Sequence, residues 1–216
     1  PKALAAQDAH ALAAQDATLL DIRPAADFGH GHPRGSVNIG LGGQFAAWAG
    51  TLLDPSLPII LVADEEEAAR EAVMRLSRVG LERVAGFVVP RAWSAEGLPT
   101  GVVPQISVEA LGGSLSSFVV VDVRRPTEYA SGHVPGAVNI PLHRLTLGAA
   151  ALDPARPTAV ICAGGYRSSA GASLLEGRGF TQLRNVEGGT SAWIASGQAV
   201  QIPEPSLPPS GPTIAA

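Results

Sequence analysis

One feature limits this chain more than any other: it repeats itself. The segment DIRPAADFGHGHPRGSVNI, beginning at Asp21, matches DVRRPTEYASGHVPGAVNI, beginning at Asp122, without a gap and at a constant offset of 101 residues. Arg23 falls on Arg124, Asp27 on Glu128, Phe28 on Tyr129, His32 on His133 and Asn38 on Asn139. Further along, Trp93 and Trp193 stand 100 apart. A repeat that keeps register over a whole unit fixes the domain count more firmly than length does. Two units of about 100 residues each are expected, residues 1–101 and 102–202, followed by a Pro-rich C-terminal tail over 203–216.

Each unit carries the same order of signals. A short amphipathic helix comes first, Leu4 to Ala14 in one unit and Ser107 to Leu115 in the other, where Ser107 can cap and Glu109 sits in the first turn. Short apolar runs rich in β-branched residues follow: Thr18 to Asp21, Ile59 to Val62, Phe118 to Asp122 and Thr158 to Ile161. Helical spacing over Glu67 to Ser77 and over Arg167 to Glu176 alternates with them, each ending near glycine. This alternation predicts an α/β fold in each unit, an open and mainly parallel sheet with helices on both faces. The Gly- and Pro-punctuated stretch from Gly97 to Pro104 reads as the linker.

Composition removes several functions. The net charge of −4 provides no electrostatic footprint for nucleic acid. Lys2 is the only lysine, which leaves none for a phosphate-binding loop or a Schiff base. There is no long apolar run for a membrane and no secretory signal, so the expected location is cytoplasmic. A single cysteine excludes an internal disulfide and suits a reducing compartment. The start at Pro1, without methionine, reads as a piece of a longer chain.

That one cysteine carries the chemistry. Cys162 stands at the C-terminal end of a predicted buried strand, in CAGGYRS, with a helix starting near Arg167. In open parallel sheets ligands bind at this position. Backbone N–H groups of Ala163, Gly164, Gly165, Tyr166, Arg167 and Ser168 would cradle an anion, the helix dipole and Arg167 would add positive potential, and all of these favour a reactive thiolate. Gly164 and Gly165 are expected to let the backbone curl through positive φ. Asp122 and Arg124 are candidate supports of this loop, although an Asp and Arg after a strand are more often a structural pair.

CAGGYRS resembles the active-site loop of rhodanese-family sulfurtransferases, and DVRRPTEYASGHVPGAVNIPL and VEGGTSAW resemble their flanking signatures. The resemblance implies sulfur transfer through a Cys162 persulfide, loaded from thiosulfate or a low-molecular-weight persulfide such as glutathione persulfide and discharged to a thiol or cyanide, without metal or organic cofactor. Related phosphatases have five residues between Cys and Arg. Here there are four, which fits sulfur better than a phosphoryl group.

The first unit has lost this site: Ala63 falls on Cys162 and Ala68 on Arg167, beside the acidic run Asp64 to Glu67. It is expected to be catalytically inactive and to cover the active unit or dock a partner. Its segment NIGLGGQFAAWAGTLLDP, from Asn38, is similar to one in fusions of a metallo-β-lactamase-fold persulfide dioxygenase to rhodanese repeats. This implies a dioxygenase as partner or as a missing fused part. His32 and His133, present in both units, are expected to be structural, as are Trp93 and Trp193. His30 and His32 lack the third and fourth ligands of a metal site.

Overall fold

The computed structural model describes residues 1–203; most of the predicted tail, 203–216, lies outside the described residues. In the first unit the strands are β1 (Thr18–Asp21), β2 (His32–Pro33), β3 (Val37–Asn38), β4 (Ile59–Val62) and β5 (Val84–Val88), with β6 (Thr100–Gly101) closing it. The second unit holds β7 (Gln105–Ile106), β8 (Val119–Asp122), β9 (Val138–Asn139), β10 (Thr158–Ile161) and β11 (Leu183–Val186). The helices are α1 (Ala6–Ala13), α2 (Ala25–His30), α3 (Phe45–Leu52), α4 (Glu66–Ser77) and α5 (Pro90–Ala95) in the first unit. In the second they are α6 (Val108–Gly113), α7 (Pro126–Ala130), α8 (Leu145–Gly148), α9 (Tyr166–Glu176) and α10 (Gly189–Ala195).

The two main sheets run β3-β1-β4-β5 and β7-β11-β10-β8-β9, and all their pairings are parallel. Central strands β4 and β10 are buried along their whole length, which is why they read as unbroken apolar runs. The place of the fifth strand in the first sheet is taken by a single bridge, Ala3 to Phe87. Ser107 caps α6 by accepting the N–H of Ala110. Trp93 and Trp193 are both 1% exposed, and each donates its indole N–H to a carbonyl six residues on, Pro99 and Ala199.

The linker is fastened. β6 pairs antiparallel with β2, and Val103 N–H donates to Gly29. Apolar side chains of both units then form one continuous core, in which Leu20, Ile22 and Phe45 join Val121, Val123 and Cys162.

Helix α9 lies at the junction. Tyr166, Ser169, Ser173 and Glu176 are three or four residues apart and so share one face. Each meets the first unit: Tyr166 O–H donates to the Gly40 carbonyl at 2.8 Å, Ser169 O–H to Asn38 Oδ1, Asn38 N–H to Ser173 Oγ at 3.0 Å, and His32 Nε2 meets Glu176 Oε2 at 2.9 Å. His32 stacks on Phe28 and its Nδ1 faces the Phe28 carbonyl, an acceptor only. Nδ1 therefore donates, and Nε2 is left to face the Glu176 carboxyl. Gly101 leaves room for it, since a Cβ there would stand 2.3 Å from Glu176 and 2.6 Å from His32. In Glu176→Ala the buried Nε2 loses its partner, and stability is expected to fall by about 1–3 kcal/mol, read from the urea midpoint.

Candidate active site

Cys162 follows β10 directly and is 1% exposed. Its Sγ accepts hydrogen bonds from the Gly165 N–H at 3.2 Å and from the Ser168 hydroxyl at 3.4 Å. Donors aimed at sulfur are what a sulfur anion needs once water is excluded. The loop is held from behind by the start of α10. Thr190 donates its N–H (2.7 Å) and hydroxyl (3.1 Å) to the Cys162 carbonyl, and Ser191 N–H donates to Ala163 at 3.0 Å.

The loop residues divide in ways that spacing did not show. Gly165 caps α9 with φ +93°, as expected of it. Gly164 does not use positive φ, and a Cβ on it would meet nothing within 4 Å, so that expectation is corrected. Tyr166 and Arg167 lie in the first helical turn. The Tyr166 hydroxyl is committed to Gly40, and burial pushes it up to about 12, so it stays a donor at physiological pH. Ser168 is fully buried, and its hydroxyl donates to Sγ rather than to an outside ligand.

Arg167 is the larger correction. Its two terminal nitrogens form a bidentate pair with Glu128, at 2.9 and 2.7 Å, so the positive potential expected of it is largely met by a carboxylate. Glu128 also accepts the backbone N–H of Arg125 (3.1 Å) and its Nε (3.2 Å). With Arg167 as the main cause, the Glu128 carboxyl is lowered to about 2. The pair is therefore fully formed above the ordinary carboxylate range, and its contribution is lost only as pH falls toward 2.

Asp122 and Arg124 are a structural pair. Both carboxylate oxygens of Asp122 take Arg124 side-chain N–H groups at 2.7–3.0 Å, and Arg124 also donates to the Gly132 carbonyl at 2.8 Å. Asp21, Arg23 and Gly31 repeat the arrangement in the unit without a nucleophile. Among the described residues none of these hydrogen bonds reaches the stretch from Cys162 to Ser168, so direct support of the loop is withdrawn. His133 stacks on Tyr129 as His32 does on Phe28, another feature common to both units.

Above Cys162 lies a cavity of about 550 Å³ whose walls come from both units. Ala163, Gly164, Tyr166, Arg167, Arg125 and Glu128 meet Gly43, Gln44 and Trp48 there. Arg75 holds that roof by donating to the carbonyls of Leu41 and Gly43. The first unit thus covers the cysteine-bearing one, through the segment from Asn38 that the sequence had set apart for another reason. Sequence reasoning missed Arg125, Glu128, Gln44 and Trp48 as site residues.

The rhodanese-like domain family matches the chain twice, over residues 5–88 and 108–196. A thiosulfate sulfurtransferase GlpE from Pseudomonas entomophila is 35% identical over 85 residues, covering 39% of this chain and 78% of that protein. A sulfurtransferase from Allochromatium vinosum is 29% identical over 106 residues, covering 48% of this chain and 99% of that one. A rhodanese-related protein from Thermoplasma volcanium shares 33% identity over 46% of this chain and 99% of its own, with a TM-score of 0.44. With a family match over both halves and a repeated parallel sheet, the chain belongs to the rhodanese-like domain family and carries two such domains in tandem.

Proposed function

We propose that the second domain transfers sulfane sulfur through a persulfide on Cys162. The observation that carries this reading is a buried sulfur facing two hydrogen-bond donors at the floor of a cavity large enough for a small sulfur compound. The Cys162 thiolate attacks the outer sulfur of thiosulfate; a new S–S bond forms, the old one breaks, and sulfite leaves with the electron pair. A low-molecular-weight persulfide such as glutathione persulfide reacts in the same way and releases its thiol. A thiol or cyanide acceptor then attacks the terminal sulfur, and the Cys162 thiolate leaves. Every step exchanges one sulfur–sulfur bond for another bond to sulfur, so no cofactor is required.

Intact-protein mass spectrometry after exposure to thiosulfate, glutathione persulfide and mercaptopyruvate tests this. An adduct of about 32 Da, one sulfur atom, is expected on Cys162 and is removed by cyanide. Failure of all three donors to load it would overturn the reading. Their relative rates name the donor class.

A further inference from the structure

We infer that Arg125 is the residue that selects anionic sulfur donors, and that Arg167 acts as a clamp on Glu128. This rests on the sulfurtransferase reading and adds to it the group that recognises the donor.

The charges around the cavity decide the assignment. Three ionised side chains line it: Arg125, Glu128 and Arg167. Glu128 takes both terminal nitrogens of Arg167, whose side chain is 16% exposed, so that cation faces its own counter-ion. Arg125 touches the same carboxylate only through Nε, at 3.2 Å. Among the described residues its two terminal nitrogens have no partner, and its side chain is 76% exposed. With Arg167 committed to Glu128, the free cationic N–H donors at the cavity belong to Arg125. A guanidinium with two unoccupied nitrogens matches the paired oxygens of a sulfonate or carboxylate.

The repeat supplies an independent argument. Side chains that hold the fold persist in the inactive domain: Asp21, Arg23, His32 and Asn38 stand where the active one has Asp122, Arg124, His133 and Asn139. The nucleophile and the side chains around it are lost there, Cys162 becoming Ala63 and Arg167 becoming Ala68. Arg125 follows the second pattern, for its counterpart is Pro24. Removing the side chain keeps the backbone cap of α7, because the Arg125 N–H that donates to Glu128 stays, and gives up only the exposed Nε contact at 3.2 Å.

The test compares two donors on the full chain by the rate of Cys162 persulfidation. Thiosulfate is a dianion; 2-hydroxyethyl persulfide has an uncharged carbon end. In Arg125→Ala the thiosulfate concentration for half-maximal loading is expected to rise about 5-fold, the upper end for losing a charged contact at an exposed site. Loading from 2-hydroxyethyl persulfide should change by no more than about twofold, and Arg125→Lys should restore part of the thiosulfate effect. Equal loading of wild type and Arg125→Ala by thiosulfate would overturn the assignment, as would an equal fall with both donors. Wild-type protein that loads from neither donor would instead overturn the sulfurtransferase reading itself.

Discussion

Arg23→Ala and Arg124→Ala are expected to destabilise the protein by similar amounts, about 3–5 kcal/mol each, although only Arg124 lies in the domain with a nucleophile. Asp21 and Asp122 are both fully buried, and each has its carboxylate gripped by the arginine two residues on. Removing either arginine leaves a carboxylate without its counter-ion in the core, together with an unpaired carbonyl at Gly31 or Gly132. Burial already pushes the Asp21 carboxyl above its ordinary value, against the pull of Arg23. Without Arg23 it moves further up. A carboxyl raised in the folded state contributes most below its unfolded value, so the deficit in Arg23→Ala should be smallest below about pH 3.9 and grow as pH rises through the folded value. Urea midpoints at several pH values measure this. If Arg124→Ala retained its stability within about 1 kcal/mol yet lost sulfur loading, the structural reading of the pair would fail.

The symmetry behind that result also explains what could be read in advance. Strands β1, β4 and β10 lie where their apolar runs were read, because strands covered on both faces are apolar along their middles, with Thr18, Asp21 and Thr158 only at their ends. The Cys162 loop was legible because its chemistry is local: sulfur, glycine and helix start are consecutive. Glu128 was not, since its partner Arg167 is 39 residues away and only the folded chain brings them together. Helix α9 hid its docking face for a different reason. It is packed on its own sheet and on the first domain, so buried serines and alanines fill most of it and no amphipathic stripe marks a direction. Gln44 and Trp48 belong to the first domain, and nothing in their own neighbourhood announces that they face a cysteine more than a hundred residues on.

Gly189→Ala is expected to cost about 3 kcal/mol or more and to lower the rate of Cys162 loading about 100-fold in the molecules that remain folded, although Gly189 does not line the cavity above Cys162. Gly189 has φ +58°, where alanine is disfavoured by roughly 1–2 kcal/mol. Space is the greater obstacle. Its Cβ would come within 2.3 Å of the Cys162 carbonyl oxygen, 2.6 Å of the Ala163 carbonyl carbon and 2.7 Å of that carbonyl's oxygen, all backbone atoms that cannot swing aside. Either α10 retreats or the loop does. In both cases the bonds from Thr190 and Ser191 to the Cys162 and Ala163 carbonyls are broken, and the sulfur loses its fixed place beneath Gly165 and Ser168. The first domain shows that this close approach belongs to the Cys162 loop and not to the fold: the matching position there is Val89, at φ −87°. Gly164→Ala is the control for stability, since its Cβ would meet nothing within 4 Å. Thermal melts and loading rates on the two variants separate the cases. A Gly189→Ala protein as stable and as readily loaded as Gly164→Ala would show that the start of α10 does not hold the cysteine loop in place.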